Sequence, residues 1–252
     1  MPSRDDAQKL FIQAVLSRRY LSKKLTELLV GRCIAAVRAA DDTLNINDNY
    51  DAFIISVNNA LDPLDLELAF LHDEITGRQM CALVNRKGDE LAQIATDYSP
   101  LEIAYFKALV ERIMLAPNES YSVSSLAALR ETAALKSSMT KTQAEIVLAS
   151  FVAKGWLNKS PRGRYSLSTR TLLELQPYIR STYADEVVEC TVCFEIVTRG
   201  IGCFTANCKA RLHDHCFANY RNSKHKCPAC TADWSANEKR LLFVGEKAAS
   251  AD

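Results

Sequence analysis

Nowhere in the 252 residues does an apolar run approach the roughly 20 that a membrane span requires, and the first residues carry no hydrophobic signal-peptide core. The sequence therefore predicts an intracellular chain that does not cross a membrane. Strong basic excess is also missing. The net charge is +1, made up of −4 over residues 1–100, +2 over 101–189 and +3 over 190–252. A free-standing nucleic-acid binder needs a pronounced basic face, so that class is excluded as the main reading. No Gly/Ser-rich linker stands between the stretch ending near Tyr183 and Cys190, which predicts that the segment beginning at Cys190 packs on the domain before it. At 48% apolar and 24% charged, the composition is that of a soluble protein with room for two or three compact domains.

Cysteine is concentrated in one place: seven of the nine fall between Cys190 and Cys230. With one histidine they run Cys190-x2-Cys193-x9-Cys203-x4-Cys208-x4-His213-x2-Cys216-x10-Cys227-x2-Cys230. Zn²⁺ takes four tetrahedral Cys or His ligands in a closed structural site, and C-x2-C lets one backbone turn offer two thiolates to one ion. Eight ligands predict two Zn²⁺. A disulfide framework needs an oxidising compartment and has no place for a histidine in register with the thiols. A segment this short buries too little apolar surface to fold alone, so metal binding should supply much of its folding free energy. No coordination position is left open for hydrolytic chemistry. The spacing alone does not decide whether the pairs interleave between the two ions or fill them sequentially. His215, beside Cys216, and His225 read as surface residues. His72, Cys33 and Cys81, each unaccompanied, read as structural.

Ahead of this segment, residues 5–39 have helical periodicity and predict two helices with a break around Ser17 to Ser22. The basic cluster Arg18, Arg19, Lys23 and Lys24 reads as a solvated helix face, since Asp5 and Asp6 are close in sequence. A polar loop from Asp41 to Asn49 precedes a short helix near Ala52 to Ala60. Alternation through Leu64, Leu66, Leu68 and Phe70, a turn at Thr76-Gly77 and a return through Met80 to Val84 predict a β-hairpin. Ser99-Pro100-Leu101-Glu102 is a capping box with proline at the first helical position, opening a helix to about Leu115. Short helical signals follow from Ser122 to Leu129, and Thr140 with Gln143 opens a helix that Gly155 closes. Strands at 156–159 and 164–167 flank the turn Pro161-Arg162-Gly163. A further helix is expected from Thr169 through Pro177 to Tyr183.

Helices followed by a two-stranded wing thus occur twice. A DNA-reading winged helix carries Arg, Lys, Asn or Gln on its third helix. Between Glu145 and Lys154 this chain has apolar residues nearly all round, which predicts a helix buried on more than one side and a protein-docking module rather than a base reader. Lys159, Arg162 and Arg164 on the second wing remain available for weak, sequence-independent DNA contact. The expected organisation is mostly α with small β wings: a winged-helix domain at 1–98, a second at 99–186, a zinc finger at 187–240 and a disordered tail at 241–252.

The ligand order, four cysteines, one histidine and three cysteines, resembles variant RING and PHD fingers. That resemblance implies interleaving, with Cys190, Cys193, His213 and Cys216 on one zinc and Cys203, Cys208, Cys227 and Cys230 on the other. PHD fingers usually carry an aromatic two residues before the last cysteine pair; His225 stands there, which favours RING. The whole chain is similar to the non-SMC element one family. The resemblance rests on the tandem winged helices, Gly155-Trp156-Leu157, Tyr165-Ser166-Leu167 with Arg170, Leu172 and Glu174, Arg211-Leu212-His213, and Cys227-Pro228 through Cys230 to Trp234. It implies a nuclear, chromosome-associated RING subunit of the SMC five-six complex in DNA repair, bound to a MAGE-like winged-helix subunit and a kleisin subunit. It further implies docking of a ubiquitin-conjugating enzyme by Val192, Tyr220 and Pro228. Many active RINGs place Arg or Lys just after the last ligand, where this chain has Thr231, so the expected intrinsic activity is weak and assisted by the MAGE-like partner. The alternative is a non-enzymatic structural or peptide-reading zinc module.

Overall fold

The computed structural model describes residues 3–86, 97–135, 138–235 and 237–249. It divides into two compact units: Met1–Asp73 with Arg78–Glu90, and Glu74–Gly77 with Leu91–Asp252.

In the first unit, α1 (Arg4–Arg18) leads into a short strand β1 (Tyr20–Ser22), then α2 (Lys23–Ala40) and α3 (Tyr50–Leu61). The break expected around Ser17 to Ser22 is therefore a strand. Ser22 ends it and caps the next helix, its hydroxyl accepting from the Leu25 amide at 3.3 Å. Asn49 caps α3 in the same way, at 2.8 Å from the Ala52 amide. The hairpin consists of β2 (Leu66–His72) and β3 (Gln79–Asn85), and β1 pairs on the far side of β3, giving the antiparallel order β1-β3-β2. Phe11, Val15, Ile34, Phe53 and Val57 fill the core, with Phe11 edge-on to Phe53 at 5.6 Å. Cys33 and Cys81 are buried there; burial pushes the Cys81 thiol up to about 12, so it behaves as an inert core group.

The second unit repeats the plan: α4 (Pro100–Met114), β4 (Val123–Ser124), α5 (Ser125–Arg130), α6 (Lys141–Ala153), β5 (Leu157–Lys159) and β6 (Arg164–Leu167), with sheet order β4-β6-β5. Both predicted capping boxes form, at Ser99 with Glu102 and at Thr140 with Gln143. Phe106, Phe151 and Trp156 pack edge to face at its centre. Arg170 lies 3.8 Å over the Trp156 ring and pairs with buried Glu174 at 2.6 Å. It also donates to the Lys154 carbonyl at 2.6 Å, tying the end of α6 to the helix that follows the wing.

Two helices differ from the pattern expected of them. The stretch from Thr169 to Tyr183 is two helices, α7 (Thr169–Glu174) and α8 (Gln176–Thr182), parted at Leu175 (φ −110°, ψ 17°). Proline has no amide hydrogen to give an i−4 carbonyl, so Pro177 belongs in the first turn of a new helix rather than inside a continuous one. Helix α6 is buried on one side only, through Ala144, Val147, Leu148 and Phe151, while Ile146 is 65% exposed. Its apolar circumference therefore leaves an apolar side chain on the surface, as does Leu126 of α5, 59% exposed.

The zinc-finger segment contributes β7 (Gly200–Gly202), β8 (Arg211–Leu212) and α9 (Asp214–Arg221) to the second unit. Of the tail expected to be disordered, residues 241–249 are ordered, and 250–252 lie outside the described residues. Leu242–Val244 forms β9, the outer strand of a sheet ordered β8-β7-β9, and Glu246–Ala248 makes a 3₁₀ turn. Composition predicted disorder because this stretch is short and polar. The strand is held by partners distant in sequence: the Gly245 amide donates to the Glu119 carbonyl at 2.8 Å, and Ser160 donates to the Glu246 carboxylate at 2.9 Å.

Candidate metal centre

Each C-x2-C pair sits on the same local turn. The Phe194 amide donates to the Cys190 carbonyl (2.8 Å) and the Thr231 amide to the Cys227 carbonyl (3.1 Å). In return the Cys190 amide donates to Glu195 O (2.9 Å) and the Cys227 amide to Ala232 O (2.8 Å). Phe194 (φ +63°) and Thr231 (φ +60°) take the left-handed conformation that this turn demands of the residue after its second cysteine. The backbone thus presents both sulfurs of a pair to one point.

The eight predicted ligands converge in two groups, Cys190, Cys193, His213 and Cys216, and Cys203, Cys208, Cys227 and Cys230, with ligand atoms in each group within 4.8 Å of one another. The pairs interleave, first with third and second with fourth. Cys203 and Cys230 sulfurs stand 3.6 Å apart, and those of Cys208 and Cys227 3.7 Å. A tetrahedral ion with Zn–S bonds of about 2.3 Å places its sulfurs ~3.8 Å apart, so these separations fit metal ligation, and they are far beyond the ~2.05 Å of a disulfide. In the first group His213 turns Nδ1 to the sulfurs of Cys193 (3.4 Å) and Cys216 (3.9 Å). Its Nε2 faces the Ile196 carbonyl at 3.0 Å. The geometry selects Nδ1 as the ligand atom, with the proton kept on Nε2.

Charge in the two groups is polarised to match. Burial raises the Cys190 thiol, but hydrogen bonds from the His213 ring and from the backbone of Cys193, His213 and Val192 together bring it down to about 6. Burial opposes the charge on His213, yet contacts with Cys190 and Glu74 raise it to about 12. Cys203 also falls to about 6, because hydrogen bonds from Thr205 overcome its burial, while burial holds Cys216 and Cys227 up at about 12. Such groups are prepared to exchange protons for a divalent cation. Four protein atoms in each group would complete the tetrahedral coordination of one zinc.

The other predicted residues lie on the surface of the finger. Val192, between the two ligands of its pair, is 41% exposed, and neighbouring Phe194 is 70% exposed. Pro228 is half-buried, as is Tyr220, which donates to the Lys226 carbonyl at 3.0 Å and sits against buried Trp234. His225 is exposed, but His215 is not the plain surface residue expected: it is half-buried and stacks parallel on His213 at 5.0 Å. On the second wing, Arg164 donates to the Ser122 hydroxyl (3.0 Å) and carbonyl (3.1 Å), which removes it from the candidates for phosphate contact. Sequence reasoning missed Phe194 and Glu74. Phe194 stood beside the ligands as an unassigned aromatic; Glu74 had no local signal, since its partners are more than a hundred positions away.

A pair of winged-helix domains carrying an interleaved, RING-like Cys/His finger defines the class, and each of its two four-residue groups could hold a metal ion. Comparison with known proteins narrows the class. The profile of the family described as "Nse1 non-SMC component of SMC5-6 complex" matches residues 8–175, and that of a RING-like domain matches 190–230. A human protein, "Non-structural maintenance of chromosomes element 1 homolog", is 31% identical over 245 residues, covering 96% of this chain and 88% of its own. The fission yeast (Schizosaccharomyces pombe) "Non-structural maintenance of chromosomes element 1" is 25% identical over 231 residues, 91% of this chain and 92% of its own. A solved "Nse1-Nse3-Nse4 complex" contains a chain with TM-score 0.77 and 29% identity, covering 93% of this chain and 98% of that one. The chain belongs to the Nse1 family.

Proposed function

We propose that this chain is the RING subunit of an SMC5-6 complex in the nucleus, where it holds two Zn²⁺ and acts in DNA repair and chromosome maintenance as a ubiquitin ligase. The observation that carries the ligase reading is the finger itself: two interleaved four-ligand groups with apolar Val192 and Phe194 open to solvent beside the first ligand pair. A RING holds a ubiquitin-conjugating enzyme and biases its thioester toward attack, so an exposed apolar surface on a rigid metal-braced turn is the functional requirement. Val192, Tyr220 and Pro228 are assigned to that docking surface. A MAGE-like winged-helix subunit and a kleisin are assigned as partners, in keeping with the related Nse1-Nse3-Nse4 complex. The exposed apolar side chains Leu126 of α5 and Ile146 of α6 support protein docking over base reading. Sequence-independent phosphate contact falls to Lys159 and Arg162.

One observation favours a second reading, a brace without enzymatic activity. The finger is fastened to its winged helix by the paired contacts of Arg211 with the Glu119 carboxylate (2.5 and 2.9 Å) and by β9. Thr231 also stands where active RINGs place a cation. Ubiquitin transfer measured with a panel of conjugating enzymes, with and without the MAGE-like partner, separates the readings. The ligase reading expects low transfer alone and more with the partner. Transfer absent under every condition, with the complex intact, would leave the brace.

A further inference from the structure

The turn joining β2 to β3 places one carboxylate against the finger. Glu74, with Ile75, Thr76 and Gly77, belongs to the second unit, and its side chain is buried. Oε1 accepts from the Thr198 amide (2.6 Å) and the Arg199 amide (3.1 Å), and Oε2 accepts from the Thr198 hydroxyl (2.5 Å). The same Oε1 lies 3.4 Å from Nε2 of His213. Among the described residues, Glu74 makes an ion-pair contact with no Lys or Arg. A carboxylate removed from water needs donors and a counter-charge. Here three donors fix its orientation, and the ring nitrogen facing Oε1 is Nε2 of the imidazole whose Nδ1 turns to the first ligand group.

We infer that Glu74 is the positioning residue of that group: it orients His213 and strengthens it as a ligand. This role presupposes the zinc reading above. Ligation by Nδ1 requires the tautomer with its proton on Nε2, and a buried Nε2–H needs an acceptor. The Ile196 carbonyl is the nearer acceptor at 3.0 Å. Glu74 adds a full negative charge on the same side and, through Thr198 and Arg199, clamps the segment that carries Ile196. A carboxylate behind a ligating imidazole raises its electron donation to the metal, and losing such a partner typically weakens metal binding by about 10–100-fold. The second group is all cysteine and has no imidazole, so it provides an internal control within the same molecule.

Glu74→Gln tests the charge while sparing the clamp. The amide oxygen still accepts from the Thr198 and Arg199 amides, and the Thr198 hydroxyl rotates to accept from the new amide group. Zinc release from the full chain is followed during chelator titration, with alkylation and mass spectrometry reporting which cysteines become free. Cys190, Cys193 and Cys216 should be released at about tenfold lower chelator in Glu74→Gln, with Cys203, Cys208, Cys227 and Cys230 unchanged. Thr198→Val, which loosens the clamp and keeps the charge, should leave both groups near wild type. In a His213→Cys background, where the ligand has no second ring nitrogen, Glu74→Gln should cost nothing at the first group; this pair of variants also decides the matter if the single variant folds poorly. Equal retention of both ions in Glu74→Gln, or an equal effect of Thr198→Val, or persistence of the effect beside His213→Cys would each overturn the inference. Wild type binding fewer than two zinc ions would instead overturn the zinc reading beneath it.

Discussion

Gly245→Ala is a single-methyl test of how the segment carrying β9 is held. Gly245 sits at φ +92° and ψ −162°, a conformation essentially confined to glycine that costs other residues about 1–3 kcal/mol. A Cβ there would also stand 2.8 Å from the Thr198 carbonyl oxygen and 3.2 Å from the Arg199 Cα, both backbone atoms that cannot swing aside. The protein can accept the strain or lift the segment away. Lifting it forfeits the pairing of β9 with β7, the bond from Gly245 to the Glu119 carbonyl and the burial of Val244. Those losses come to about 1 kcal/mol for the hydrogen bond and at least ~1.5 kcal/mol for the valine. Either route predicts a loss of about 2–3 kcal/mol. A unit of this size shifts its midpoint by about 2–4 °C per kcal/mol, so the zinc-loaded protein should unfold about 4–12 °C lower by calorimetry. Amide exchange across residues 200–202 should accelerate if the strand lifts. An unchanged midpoint together with unchanged exchange would refute the claim that this segment is a built strand of the finger.

Further outcomes follow from the same geometry. Purified protein should contain two zinc ions; Cys193→Ala or His213→Ala should unfold the finger, whereas His215→Ala, which removes no ligand atom from either group, should retain both ions on metal analysis. Zinc affinity should fall with acidity: burial holds Cys216 and Cys227 near 12, so metal uptake at neutral pH must expel their protons. Each proton expelled makes affinity drop about tenfold per pH unit, a dependence that zinc-buffered titrations between pH 8 and 6 would measure, and a flat profile would contradict it. Val192→Ala should lower ubiquitin transfer about tenfold, from a contact worth roughly 1–2 kcal/mol, while both ions stay bound. Thr231→Arg should raise transfer if the missing cation limits the rate; no change would place the limit elsewhere.

What could be read from the residues alone was what short-range chemistry encodes. Cys190 and Cys193, like Cys227 and Cys230, announce themselves because one turn must aim two thiolates at one ion, and that constraint is written in a two-residue gap. The capping boxes at Ser99 and Thr140 are equally local, one side chain reaching amides three residues on. Two apolar helix-and-hairpin patterns were enough to place both winged helices. The break at Leu175 was also encoded locally, in the missing amide hydrogen of Pro177, though the periodicity on either side concealed it.

Tertiary structure decided whatever depends on partners far along the chain. Spacing left interleaved and sequential pairing open; the fold brings His213 and Cys216 to the first cysteine pair because β7 and β8 return the chain there. The single-sided burial of α6 depends on which neighbours reach it, and no pattern within the helix reports that. The polar stretch after Val244 is ordered only because the Glu119 carbonyl and Ser160 receive it, 126 and 86 positions away respectively. Glu74 reaches Thr198 across 124 positions. A periodicity or a ligand gap records contacts within a turn or two of chain. A lone carboxylate in a hairpin turn carries no mark of the histidine it will face, because that contact exists only once the chain between them has folded.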